Sequence, residues 1–150
     1  KKGIHRILIS FGGEDPNKLT IHTMKCLEKL ASCIKILIVI GPFFKHRDQI
    51  KDLNSHLGDK FELLENSFDL SNDIFTTDFL ITAIGATLFE GISHKKSCIV
   101  ISNYTSDKAD EIKLSKFENV TTIGYYEKII KDENLLLNVL KKKLSSLPNL

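Results

Sequence analysis

No apolar run in this 150-residue sequence reaches the roughly 18 to 20 residues that span a bilayer. The longest, Ile34 to Phe44, is interrupted by Lys35, Gly41 and Pro42. No secretory leader is visible, so the expectation is a soluble, cytoplasmic protein without a membrane span. Cysteine is scarce. Cys26, Cys33 and Cys98 are odd in number and never spaced CxxC, which argues against a disulfide framework or a zinc site. Cys26 falls in a helical apolar stripe and Cys98 opens a strand, so both read as small buried hydrophobes. A reducing compartment fits. His5, His22, His46, His56 and His94 lack metal-ligand spacing and read as surface or helix-end residues. No metal or cofactor is expected.

Charge of one sign is also lacking. The net charge is +2, and the only lysine run is Lys141 to Lys143. That run ends an expected helix, where cations suit the negative end of the dipole. No aromatics interleave with it, so no nucleic-acid partner is expected. An apolar fraction of 42% with 27% charged residues is that of a globular chain. The first residue is Lys1 rather than Met and an apolar strand follows almost at once. The expectation is one domain, residues 1–150, cut from something longer, with a missing amino-terminal domain as its partner.

What is present is an alternation of short apolar runs with stretches of helical period, the signature of βαβ units and a parallel sheet. Strands are expected at Ile4 to Phe11, Ile34 to Ile40, Phe61 to Leu64, Phe79 to Ile84, Cys98 to Ser102 and Val120 to Ile123. Leu19, Thr23, Cys26, Leu27 and Leu30 form a helical stripe, entered with Asp15 as N-cap and Pro16 as first helical residue. Further helices are expected near Arg47 to Leu57, Asp69 to Thr76, Ala86 to His94 and a segment ending near Phe117. A long amphipathic one should cover Tyr126 to Leu144. The fold class is therefore α/β: a doubly wound, parallel six-stranded sheet with helices on both faces, Rossmann-like. Such sheets bind ligands at the carboxyl edge, where helix amino termini converge.

Two loops on that edge can carry chemistry. In the first, Gly12 and Gly13 let backbone approach a ligand closely, ahead of Asp15 and a helix start. The pattern is neither GxGxxG nor a Walker loop, which disfavours a dinucleotide site. In the second, Gly85, Ala86 and Thr87 open a helix suited to a diphosphate, and Glu90 follows one turn later on the same face. A carboxylate there can accept hydrogen bonds from both ribose hydroxyls. The bland alternative makes Thr87 a terminal hydroxyl and Glu90 its capping-box partner.

The segments ILISFGGEDPNKLT, IVIGPF and TTDFLITAIGATLFEGISHKKSCIVIS resemble the carboxyl-terminal half of glycosyltransferase-B-fold proteins. They are most similar to the UDP-sugar hydrolases of pseudaminic acid synthesis and their spore-coat polysaccharide relatives. Peptidoglycan N-acetylglucosaminyltransferases are more distant kin. The resemblance implies a diphosphate at Gly85, Ala86 and Thr87, and a ribose held by Glu90. It also implies uracil read by main chain near Ser67 and Phe68, and a loop of Gly12, Gly13 and Asp15 closing around phosphates and sugar. The implied ligand is UDP or a UDP-sugar. Three departures stand out. Ile84 replaces a small residue and would crowd the phosphates. After the fifth strand, where relatives usually carry an Asn-Gln or Asp-Gln pair for contacts to the sugar, Asn103 to Asp107 offers no Gln. The amino-terminal domain, which in that family supplies the catalytic base, is missing.

Two functions follow from this reading. One is the nucleotide-sugar-binding half of a UDP-sugar hydrolase or glycosyltransferase in surface-glycan synthesis, inactive by itself. The other is a degenerate domain of the same fold serving as an interaction or regulatory module. A receiver-type domain is disfavoured because no strand ends in an acidic cluster.

Overall fold

The computed structural model describes residues 5–65 and 69–145. Its centre is a six-stranded, all-parallel sheet in the order β3-β2-β1-β4-β5-β6. The strands are β1 Arg6–Ser10, β2 Lys35–Ile40, β3 Glu62–Glu65, β4 Phe79–Thr82, β5 Ser97–Ser102 and β6 Val120–Tyr125. Between them run α1 Leu19–Cys26, α2 Arg47–His56, α3 Ser71–Thr76, α4 Ala86–Ser93 and α5 Lys108–Leu114, with α6 Glu127–Lys131 and α7 Leu135–Ser145 closing the chain.

The apolar runs of the inner strands are continuous because both faces are covered. Their side chains alternate between two cores. Ile7, Ile9, Ile36, Ile38, Phe79, Ile81, Ile99 and Ile101 face one side, where Met24 of α1, Ile50 of α2, Ile129 of α6 and Leu136 of α7 pack onto them. Leu8, Val39, Leu80, Cys98 and Val100 face the other, under Ile74 of α3, Leu88 of α4 and Leu114 of α5. At Gly91 α4 lies so close to the sheet that a Cβ would come 2.6 Å from a Leu80 methyl. Glycine is what permits that approach.

Two helix boundaries differ from expectation. The first helix begins at Leu19, not Pro16, because Asp15 (φ 49°) and Lys18 (φ 54°) both take left-handed backbone conformations that no helix can include. The long terminal helix is broken into α6 and α7. Asp132 is extended, and its carboxylate accepts the Asn134 N–H at 3.1 Å, a local bond that competes with the helical ladder.

Candidate functional site

Strand order reverses between β1 and β4, which lie side by side yet lead to helices on opposite faces. Diverging loops at such a switch point leave a crevice outside the carboxyl ends of the strands. The fold brings Gly12, Gly13 and Asp15 to this edge after β1, and Gly85, Ala86, Thr87 and Glu90 after β4. Thr82 fastens the two strand ends together, its hydroxyl donating to the Ser10 carbonyl at 2.6 Å. Ser67 and Phe68 lie outside the described residues.

On the β4 side, no side chain among the described residues caps the start of α4, and its first internal bond runs from the Phe89 N–H to the Gly85 carbonyl at 3.3 Å. The first-turn N–H groups are therefore left for another acceptor. Gly85 is extended and exposed, and a Cβ built on it meets nothing within 4 Å, so space lies in front of the helix start. Ile84, expected to crowd that space, is instead half-buried and packed against the core of Leu8, Leu80 and Leu88. Thr87 and Glu90 are half-buried. The capping-box alternative is not realised. Among the described residues the Glu90 carboxylate makes no hydrogen bond or ion pair.

On the β1 side the loop is tied down by backbone. Gly12 has φ 81°, a conformation that favours glycine. The Gly13 carbonyl accepts the Phe43 N–H at 2.8 Å, and a Cβ on Gly41 would stand 2.7 Å from that same oxygen. Glycine at 41 thus lets the ends of the first two strands touch. Asp15 is 1% exposed, and its carboxylate accepts the N–H groups of Leu19 (2.8 Å) and Thr20 (2.9 Å). It is the expected cap, delivered from four residues upstream rather than from the adjoining position.

A third partner of Asp15 was not foreseen. His46 Nε2 lies 3.1 Å from Asp15 Oδ2, with both side chains buried. The surface reading of this histidine is corrected: it stands at the start of α2, as a helix-end residue, but it is 5% exposed and stacked on Phe44 at 4.7 Å. The pair is 31 residues apart in sequence, so no spacing rule announces it. Only the parallel pairing of β1 and β2 brings their following loops together. Arg47 completes this corner by donating to Glu65 Oε1 (2.8 Å) and to the Gly41 carbonyl (3.2 Å). Its guanidinium, with Lys51, holds the Glu65 carboxyl below its ordinary range.

The thiols of Cys26 and Cys98 are both pushed up to about 11, by burial above all, so they stay protonated as packing groups. A cavity of about 400 Å³ lies at the opposite edge, lined by residues that begin strands, among them Arg6, Lys35 and Glu62. Parallel βα units direct helix amino termini away from that edge. The convergent donors are therefore at the switch point. Among the described residues, no cluster of His, Cys, Asp or Glu is placed to hold a metal ion, and no helix is long and apolar enough to cross a membrane.

Strand order and helices on both faces define a Rossmann-like α/β domain. The same architecture occurs in glycosyltransferases of the B type. A chain from a structural study of EarP-mediated arginine glycosylation of translation elongation factor EF-P superposes with a TM-score of 0.51 at 10% identity. The superposition covers 77% of this chain and 41% of that one. In sequence, 93 residues (61% of this chain) are 31% identical to the uncharacterized protein MJ1062 of Methanocaldococcus jannaschii. Those residues make up 19% of that protein, so the chain spans less than half the length of either protein it matches. No family model matches the sequence.

Proposed function

We propose that this domain binds the nucleotide of a UDP-sugar and forms the nucleotide half of a glycan-processing enzyme, within the pseudaminic-acid and spore-coat group it resembles. The observation that carries the reading is a helix start at Gly85 and a Glu90 one turn further on that are uncapped and unpaired among the described residues, both beside the switch point. A diphosphate would accept hydrogen bonds from the free N–H groups of the first turn and gain from the positive dipole end. Glu90 would accept from the ribose hydroxyls, and main chain near Ser67 and Phe68 would read the base. Charge developing on the leaving diphosphate, during hydrolysis or transfer at the anomeric carbon, would be stabilised by the same donors. The glycosylation named for EarP is chemistry of that kind.

No described residue at this edge is a free nucleophile or base. Asp15 is committed to α1 and His46, so the reactive groups would come from a partner domain. A second reading, a non-catalytic module of the same fold, is favoured by one observation: Asn103 stands where a sugar-binding pair is expected and is already bonded to Asn17. Calorimetry with UDP separates the two. Saturable binding that Glu90→Ala weakens by about 1 to 3 kcal/mol supports the first reading. Absence of binding at millimolar UDP leaves the second.

A further inference from the structure

The loop joining β1 to α1 does not stay beside its own strand. Asn17 sends its side-chain amide to residue 103, beyond the end of β5, where Nδ2 donates to the Asn103 carbonyl (3.1 Å) and to Asn103 Oδ1 (3.2 Å). In the sheet β4 separates β1 from β5. The bridge therefore spans the carboxyl end of β4, across two strand spacings or about 10 Å. The chain between β4 and α4, with Gly85 at its end, leaves the strand that lies between these two tethered ends.

The crossing piece is short and its ends are fixed. Asp15 and Leu19, on either side, are buried and joined to each other by the cap bond. Pro16 and Lys18 between them are exposed, while Asn17 is half-buried against its partner. Asp15 and Lys18 both hold left-handed backbone conformations, so two strained hinges bracket the tip. Strain of this kind persists only where surrounding contacts hold it; here the Lys18 N–H closes the turn onto the Asp15 carbonyl (3.1 Å), and the Asn17 amide ties it to the end of β5. Residues 16–18 thus have pivots, a latch and a place at the sheet edge from which α4 departs.

We propose that residues 16–18 are a gate over the switch-point crevice, latched by Asn17 on Asn103, and that the latch must open for ligand to enter or leave. The proposal rests on the nucleotide reading of that edge. A gate alters passage in both directions alike and leaves the relative stability of the free and bound states unchanged, whereas a ligand-contacting residue acts mainly on dissociation.

The test is an NMR line-shape titration of the whole chain with UDP, comparing wild type with Asn17→Ala. Asn17→Ala is expected to raise association and dissociation rates together by about threefold to tenfold, the span that one net hydrogen bond supplies, with the dissociation constant unchanged. A second variant, Asn17→Cys with Asn103→Cys in a Cys33→Ser background, should slow both rates when oxidised and restore them on reduction. Wild-type rates in Asn17→Ala, or a rise in dissociation alone, overturn the gate while leaving the nucleotide reading intact. A wild-type protein that does not bind UDP overturns both.

Discussion

The carboxylate of Asp15 and the imidazole of His46 form a buried pair, 3.1 Å apart, that joins the loop after β1 to the start of α2. Three hydrogen bonds, two from the first amides of α1 and one from His46, make the desolvation of that carboxylate tolerable. Replacing His46 with Ala leaves the carboxylate short of one donor and Phe44 without its stacking partner. Urea unfolding should report a loss of about 1 to 3 kcal/mol, partly recovered in His46→Gln, which restores a donor. Unchanged stability in His46→Ala would mean that the pair holds nothing together.

The approach of the β2 end to the loop after β1 is a backbone matter, and two glycines separate its parts. A Cβ at Gly13 would make ordinary contact with Phe43 at 3.6 Å. At Gly41 it would press on the carbonyls of Gly12 and Gly13, which are backbone and cannot swing aside. Gly41→Ala should therefore destabilise by about 1 to 3 kcal/mol, while Gly13→Ala stays near wild type. Thermal melts of the two variants check the contrast.

Cys33 is exposed, whereas Cys26 and Cys98 are buried with thiols raised to about 11. Thiolate, not thiol, reacts. A disulfide-exchange reagent at pH 7 should thus modify one cysteine rapidly in the folded protein and all three in denaturant. Rapid reaction of Cys98 in the native state would contradict the packing beneath α4.

Thr20 and Thr23 of α1 bury hydroxyls that find no partner among the described residues. An unsatisfied buried hydroxyl costs free energy that an isosteric methyl does not. Thr23→Val should leave the melting temperature unchanged or raise it. A fall of several degrees would show that the hydroxyl is bonded after all.

Much of the fold was legible because inner parallel strands must be apolar on both faces. The runs at Ile34 to Ile40 and Phe79 to Ile84 contain the observed β2 and β4, and Cys98 to Ser102 covers most of β5. Helix ends were less legible, because local side-chain chemistry decides them. Nothing in Asp15-Pro16 reveals that residues 15 and 18 turn left-handed, and nothing in Asp132 reveals that it caps rather than continues a helix. The placement of Gly85 to Glu90 at the carboxyl edge was legible from spacing, since these residues follow directly on one strand. The parts played by His46 and Asn17 were not. Each matters through a partner supplied by another loop, at a distance that only the strand order sets.

Binding of a nucleotide at this edge requires that the helix start at Gly85 and the carboxylate of Glu90 together seat a ribose diphosphate. Calorimetric titration with UDP and its 2′-deoxy analogue tests this most directly. Wild type should prefer UDP by about tenfold to a hundredfold, as loss of a hydrogen bond to a charged group requires, and Glu90→Ala should bind the two ligands equally. Equal affinity of wild type for both, or a Glu90→Ala variant that still discriminates, would contradict the account.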